Sequence, residues 1–278
     1  MLDLDPASFT HVPHNVALTL PSDHHQSRII VFAFVASFLV QHLSTVLFQR
    51  RCRSLWNSLD GNNRADIAIR CVIGVWGLLS SVWASVVLTP ALRNGTSIAE
   101  RMYATETSGL LNAEALCSAA VGFFAWDIVT SLWLYEEYGS AFLLHAVASF
   151  AAFAIPKCMP RGFLLYYGCV FLVWEVTAPF LGARTLLIKM KKTDSVAFSI
   201  IERCGFALFI VIRFVFGLPA MIMYVSDAYA MRWLGLAKPT SVYATFTFAA
   251  VLFPLMNCMW VGKMIKALMR SKNRSKSA

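Results

Sequence analysis

Three ionisable residues interrupt the most apolar part of the chain, between Phe123 and Arg184. Asp127, His145 and Glu175 each lie inside a run of hydrophobic residues. Placing such a group in lipid costs roughly 2.5–3.5 kcal/mol on insertion scales, so each one marks a candidate functional site. A carboxylate beside His145 would orient one ring nitrogen and leave the other as a base or nucleophile, which suits proton or acyl transfer. The same groups also suit recognition of a lipid headgroup without chemistry.

The composition assigns the chain to a lipid bilayer. Of its 278 residues, 58% are hydrophobic and 14% are charged, against about 45–50% apolar and about 25% charged in soluble domains. The net charge is +9, but the basic residues cluster in loops and at the C-terminus, as membrane topology requires, so no nucleic-acid partner is predicted. The seven cysteines are scattered without the spacing of a zinc site, and no metal site is predicted.

Apolar segments of membrane-spanning length define the elements that must position these groups. We predict an all-α integral membrane protein with about seven transmembrane helices. The predicted spans are 29–48, 67–88, 110–134, 141–155, 162–181, 196–225 and 241–261. The fourth span is short for a full crossing. Residues 1–28 are predicted to form a flexible lumenal or extracellular tail, 29–54 the first helix and a basic loop, 55–270 the main transmembrane domain, and 271–278 a basic cytosolic tail.

Basic residues set the expected orientation of the spans. They concentrate in segments 49–66 and 182–195 and in the tail from 262, which predicts a cytosolic C-terminus and a lumenal or extracellular N-terminus. The glycosylation sequon at Asn94 then falls on the lumenal side, where glycosylation occurs. The expected location is the endoplasmic reticulum.

The spacing of the three ionisable residues within their spans predicts a common depth. At 1.5 Å per residue, Asp127, His145 and Glu175 lie roughly 6–10 Å from the inner ends of three different helices. We therefore predict that they line one cavity in the cytosolic leaflet. Arg70 is expected to snorkel or to pair with one of the two carboxylates, and Arg213, deeper in the sixth span, requires a counter-charge or water.

Two segments are expected to distort their helices near the predicted cavity. Pro179 removes the donor that would bond the carbonyl of Glu175, which opens the helix beside a carboxylate. The run Phe214–Pro219 is expected to kink the sixth span just after Arg213.

These residues resemble the TLC-domain family, the membrane domain shared by ceramide synthases and translocating-chain-associated proteins, over roughly residues 55–270. The run Glu175–Arg184 is similar to the family's E-x-S/T-x-P-F-L-N-x-R segment and is the most specific part of the match. Asp127, His145 and Arg70 are similar to an aspartate, a histidine and an upstream arginine of the family. The resemblance implies six helices arranged as a barrel around a cavity for a lipid or an acyl chain.

The chain departs from ceramide synthases at several of these positions. The family's histidine pair is reduced to His145 followed by Ala146, and Trp76 stands where a second upstream histidine is common. The family's asparagine is Gly182 here, and the acidic stretch that follows the histidine pair is absent. The chain thus looks like the smaller, non-ceramide-synthase branch, which is linked to membrane lipid composition. A two-histidine acyl-transfer mechanism does not carry over intact.

The sequence therefore predicts a multi-pass membrane protein that binds or processes a lipid or fatty acyl chain and contributes to lipid homeostasis. The predicted lining of the cavity consists of Arg70, Trp76, Trp126, Asp127, His145, Trp174, Glu175, Thr177, Arg184 and Arg213.

Two classes of alternative stay open. In the first, the protein is an acyltransferase that takes acyl-coenzyme A as co-substrate, with His145 catalytic and Glu175 or Asp127 orienting it. In the second, it is a seven-helix receptor or a transporter. The segment after the third span lacks the charged triplet of common receptors, and residues 29–134 and 162–261 show no self-similarity of the kind found in transporter repeats.

Overall fold

A computed structural model of the chain describes residues 24–104, 110–159, 162–233 and 240–274. Nearly all of these residues are helical, and the described ranges contain no strand beyond a single antiparallel bridge between Tyr103 and Phe163. The helices are α1 (His24–Arg51), α2 (Arg53–Ser58), α3 (Gly61–Asn94), α4 (Ile98–Met102), α5 (Ala113–Trp133), α6 (Tyr135–Lys157), α7 (Leu165–Val173), α8 (Ala178–Lys189), α9 (Val196–Ile210), α10 (Gly217–Trp233) and α11 (Thr240–Arg274). Most of the predicted N-terminal tail lies outside the described residues.

Seven of the described helical stretches are long and apolar enough to cross a membrane, which confirms the predicted number. They are His24–Arg51, Gly61–Asn94, Ala113–Trp133, Tyr135–Lys157, Leu165–Lys189, Val196–Met231 and Phe246–Lys266. The first helix begins at His24, before the predicted start of the span, so the end of the predicted tail is helical.

The fourth span is broken near its start. Helix α6 has 23 residues, but Gly139 has non-helical dihedral angles, so the unbroken helix covers 140–157, close to the predicted 141–155. Gly139 interrupts α6 with a φ of 72°, a conformation that is costly for residues with a Cβ. This break re-aims the helix just before the stretch that carries His145.

The spans after α1 pack side by side in a ring. Helix α3 contacts α5, α5 contacts α6, α6 contacts α11, α11 contacts α9 and α10, and α8 joins α9 back to α3. Helices α7 and α8 form one span, as do α9 and α10. This ring is the six-helix arrangement that the resemblance implied.

Helix α1 packs outside the ring, against α5 and α3. Its buried residues are polar, namely Gln26, Ser37 and Gln41, while apolar side chains such as Phe32 (74% exposed) face outward. This arrangement is typical of a helix whose outer face meets lipid and whose inner face hydrogen-bonds its neighbours.

A partly buried ion pair joins α4 to α10. Two guanidinium nitrogens of Arg101 donate to the two carboxylate oxygens of Asp227, at 2.6 and 2.8 Å. Tyr167 also donates to Asp227, and Arg101 donates to the carbonyl of Thr96. The hydrogen bond with Asp227 raises the pKa of Arg101 above its ordinary value, so this guanidinium stays charged throughout the physiological pH range.

Candidate functional site

A cavity of about 250 Å³ lies inside the ring, between α3, α5, α6, α8 and α11. Its charged lining residues are Arg70, Asp127, Glu175, Arg184, Arg213 and Lys263. Its aromatic lining residues are Phe123, Phe124, Phe142, His145, Phe209 and Trp260. The lining extends from the buried side chain of Arg213 to Lys263, which is exposed. Charged groups therefore meet an apolar wall along one continuous surface.

The structure brings Asp127, His145 and Glu175 together around this cavity. They come from α5, from α6 and from the turn between α7 and α8, so three separate elements supply them. The common depth of the three residues, inferred from their spacing, thus corresponds to a shared surface.

The helix that carries Glu175 opens at that residue. Residues Trp174–Thr177 form a 3-10 turn between α7 and α8, in which the N–H of Ala178 donates to the carbonyl of Glu175. The turn follows from Pro179, which lacks the N–H that an α-helix would direct at this carbonyl. The predicted distortion is confirmed, and it turns the carboxylate of Glu175 toward the cavity.

Arg213 lies in a π turn, Val211–Phe216, between α9 and α10. A single π turn within a helix is rare and is frequent at functional sites. The turn places Arg213 3.7 Å from a carboxylate oxygen of Glu175, with its guanidinium 5.4 Å from the ring centroid of Trp174 and 5.7 Å from that of Phe209. The counter-charge that the sequence required for Arg213 is therefore Glu175, at a distance longer than a hydrogen bond.

The surroundings of His145 differ from the expectation of a paired carboxylate. Its ring packs edge-on against Phe253 and Trp260, with centroid distances of 5.7 and 5.5 Å. Its Nδ1 is buried without a hydrogen-bond partner among the described residues. The two carboxylates at the cavity, Asp127 and Glu175, therefore do not orient this ring in the way that the sequence suggested, because aromatic packing holds it instead.

Arg70 pairs with Asp66, a partner that the sequence interpretation did not consider. Its Nε lies 3.0 Å from Asp66, and Lys189 lies 2.8 Å from the other oxygen of the same carboxylate. Tyr138 donates to Asp66 at 2.6 Å, and the Arg70 guanidinium stacks over Tyr138 and Phe142. The expected pairing of Arg70 with Glu175 or Asp127 was wrong. The spacing of four residues between Asp66 and Arg70 on one helix would have revealed the pair.

Arg184, at the end of the most specific motif, is held by Glu202 of α9. Its Nε and a terminal nitrogen both donate to one oxygen of Glu202, at 3.0 and 2.8 Å. The guanidinium also stacks on Phe198, 5.6 Å from the ring centroid. Arg184 thus joins α8 to α9 at the edge of the cavity.

Comparison with known proteins assigns the family. A family model described as the TLC domain matches residues 66–266, which is more than half of the chain. The chain belongs to the TLC-domain family. It is also similar to an uncharacterized TLC domain-containing protein of Schizosaccharomyces pombe, with 31% identity over 160 residues. That match covers 56% of this chain and 52% of the relative, so the chain spans about half the length of this curated relative.

The tryptophans predicted to line the cavity of this TLC domain have other contacts. Trp76 stacks on Phe123, with centroids 4.6 Å apart, and Trp126 donates from Nε1 to Gln41 of α1 at 3.1 Å. Trp174 packs beneath Arg213. These three tryptophans contact residues of the cavity lining without being part of it. Thr177 lines the cavity directly, as predicted.

Sequence reasoning missed Lys263 and Trp260 as members of this lining. The approach of α11 to α6 places them there. No local pattern in the sequence marks Lys263.

Proposed function

We propose that this TLC-domain protein binds a membrane lipid or fatty acyl chain in the cavity and thereby contributes to membrane lipid homeostasis. One observation carries the proposal: a cavity at the level of the spans combines ionised groups with an apolar, largely aromatic wall. Buried pockets of this mixed character are the usual form of a small-molecule site. A molecule with a polar head and an apolar chain matches both surfaces.

The size of the cavity limits what it takes up. Its volume of about 250 Å³ lies just below the range of roughly 300–1,000 Å³ that is typical of sites for drug-sized ligands. It is therefore suited to a headgroup or part of one chain, with the remainder of the lipid in the bilayer. The exposed position of Lys263 at the rim provides the route by which a headgroup reaches it.

The geometry favours binding over acyl transfer from acyl-coenzyme A. Nucleophilic catalysis by histidine needs a second group that orients the ring. Nδ1 of His145 has no partner among the described residues. In this proposal His145, Asp127 and Glu175 are therefore ligand-binding residues, and acyl transfer is the second candidate function.

A bulky substitution that fills the cavity, with a matched control, tests lipid binding. Thr185 lines the cavity, and its hydroxyl donates to the carbonyl of Leu181 at 3.0 Å. Thr45 makes the same bond to Gln41 at 3.0 Å on α1, outside the ring. Thr185→Phe is expected to abolish the co-purification of phospholipid or fatty acid that mass spectrometry detects, while Thr45→Phe retains it. Equal lipid content in the two variants contradicts the proposal.

The acyltransferase alternative has its own measurement. The purified protein is incubated with labelled acyl-coenzyme A and a mixture of lipid acceptors. We expect no transfer that depends on His145. Transfer that is lost in His145→Ala, with lipid content unchanged, would replace binding by catalysis as the function of the cavity.

The proposed location follows from the charge pattern and not from the cavity. With the basic loops in the cytosol, the cavity opens toward the cytosolic leaflet of the endoplasmic reticulum. A lipid profile of cells that lack the protein, compared with cells that carry Thr185→Phe, tests whether lipid composition depends on the cavity itself.

A further inference from the structure

Two oppositely charged groups at the cavity lack adequate partners, and they lie on different walls. Asp127, on α5, lines the cavity and makes no side-chain hydrogen bond or ion pair within 4.0 Å among the described residues, although Glu175 and Arg70 are near enough to interact with it electrostatically. Arg213, on the π turn, has one ion-pair contact, with Glu175 at 3.7 Å. An unpartnered charge inside a membrane domain is costly, so each one indicates a ligand group of the opposite sign.

The guanidinium of Arg213 has more donors than the protein satisfies. Its side chain is 8% exposed, and its Nε is buried without an acceptor. A guanidinium has five N–H donors, and the 3.7 Å contact with Glu175 exceeds the usual N···O range of about 2.7–3.2 Å. The side chain is held in place by its π turn and by Trp174 and Phe209, so its donors are positioned before any ligand arrives.

Trp260 provides a further donor in the same cavity as Arg213. Nε1 of Trp260 is buried without an acceptor, and the Trp260 ring packs against Phe209, which also contacts Arg213. A phosphate has several acceptor oxygens and suits a fork of N–H donors better than a single carboxylate does. The donors on this wall of the cavity therefore suit an anion, and a phosphate most of all.

Asp127, in contrast, requires a cationic partner. The arginine nearest to this wall, Arg70, is already bound to Asp66 at 3.0 Å. The neighbouring wall is aromatic, with Phe123 and Phe124 preceding Asp127 on the same helix. A carboxylate next to aromatic rings is a suitable environment for an alkylammonium group.

We propose that the cavity takes the zwitterionic headgroup of a phospholipid, with its phosphate at Arg213 and Trp260 and its ammonium group at Asp127. This inference rests on the proposed function and specifies the ligand of the same cavity. A free fatty acid would satisfy Arg213 but leave Asp127 without a partner, and an anionic glycerol headgroup would do the same. The volume of about 250 Å³ fits a headgroup and leaves the acyl chains in the bilayer.

The test is a competition for the delipidated protein in detergent. The protein is incubated with equal amounts of dioleoyl phosphatidylethanolamine, dioleoyl phosphatidylglycerol and oleic acid, and the retained lipids are quantified by mass spectrometry after gel filtration. We expect phosphatidylethanolamine to exceed phosphatidylglycerol by about tenfold, which corresponds to one added charge-assisted hydrogen bond. Equal retention of phosphatidylglycerol or oleate overturns the inference but leaves lipid binding intact. Retention of no lipid at all overturns the proposed function.

Two substitutions test the ammonium contact and the phosphate contact of the headgroup separately. Asp127→Asn is expected to bring the ratio of phosphatidylethanolamine to phosphatidylglycerol close to one, whereas Asp194→Asn in an exposed loop leaves it unchanged. Arg213→Gln is expected to lower retention of both phospholipids, with Arg213→Lys intermediate. An unchanged ratio in a folded Asp127→Asn protein overturns the assignment of the ammonium site, even if Arg213→Gln fails to fold.

Free phosphoethanolamine distinguishes a lipid headgroup from a soluble ligand of the same chemistry. Added at the concentration of the lipid, it is expected to displace none, because it lacks the chains that remain in the apolar phase. Displacement at equal concentration overturns the assignment of the ligand to the bilayer.

Discussion

Gly77 of α3 packs directly against the carbonyl oxygen of Glu175. A Cβ at position 77 would lie 2.5 Å from that oxygen and 3.0 Å from the Cβ of Ala178. The 3-10 turn that carries Glu175 can therefore sit on α3 only because residue 77 has no side chain. This contact fixes the depth at which the carboxylate enters the cavity.

Substitution of Gly77 tests that contact. Gly77→Ala is expected to destabilise the protein by about 1–3 kcal/mol, the usual effect of overpacking, and to lower lipid retention by displacing Glu175. The control is Gly262→Ala on α11, where a Cβ meets nothing within 4 Å, and where alanine favours the helix by up to about 1 kcal/mol. Unfolding in detergent measures the stability of both variants. If Gly77→Ala is as stable as Gly262→Ala, the close packing of α3 against this turn is refuted.

The carboxylate of Asp66 joins three helices, α3, α6 and α8. It accepts from Arg70 and Tyr138 and pairs with Lys189. Asp66→Asn is expected to reduce the free energy of unfolding by about 1–3 kcal/mol, since partly buried cations lose their acceptor. Asp194→Asn, on an exposed loop, is the control. Identical unfolding curves for the two variants would show that the network adds no stability.

Low pH is expected to reduce the stabilisation of the N-terminus of α3. The backbone N–H and side-chain amide of Asn63 donate to Asp60, which holds the pKa of this N-cap carboxyl below its ordinary value of 3.8. Because the folded pKa is the lower one, the stabilisation is complete above the unfolded pKa and disappears as the pH falls through the folded value. The stability difference between the wild-type protein and Asp60→Ala should therefore be larger at about pH 7 than at about pH 2.

A neutral cap provides the control for that pH dependence. Ser195 caps α9 by accepting from the N–H of Phe198, and its hydroxyl does not titrate in this range. Ser195→Ala should thus have the same effect at both pH values. A pH-independent difference for Asp60→Ala would show that its charge contributes nothing to the cap.

Two glycosylation sequons test the orientation of the chain. Asn94-Gly95-Thr96 follows the second span and Asn273-Arg274-Ser275 follows the last, with five spans between them. An odd number of crossings places them on opposite sides, so one orientation exposes only one of them to the glycosylation machinery. We expect Asn94→Gln, and not Asn273→Gln, to abolish the mobility shift that a glycosidase removes. Loss of the shift in Asn273→Gln instead would reverse the predicted orientation and the leaflet of the cavity.

The spans and the residues that converge on the cavity were predictable because they depend on local composition. Hydropathy over about 20 residues locates a crossing, and the rise per residue places Asp127, His145 and Glu175 at one depth. Pro179 likewise predicts the opened turn, since the missing N–H is a property of that residue alone.

The partners within the cavity were less predictable because they depend on how each helix is rotated. Spacing placed Arg70 near Asp127 and Glu175, yet its rotation directs it to Asp66. A π turn, Val211–Phe216, lies where the sequence predicted a kink near Arg213, and no residue pattern identifies this type of turn. The indole of Trp126, predicted to line the cavity, instead donates to α1.

The polar inner face of α1 has a consequence for how the protein is made. Gln26 bonds Ser118 and Glu114, and Gln41 bonds Trp126. Synthesis runs from the N-terminus, so α1 enters the bilayer before any of these α5 partners exists. The family match begins at residue 66, so α1 and its glutamines lie before the matched domain, and these glutamines can reach their partners only after α5 has been synthesised.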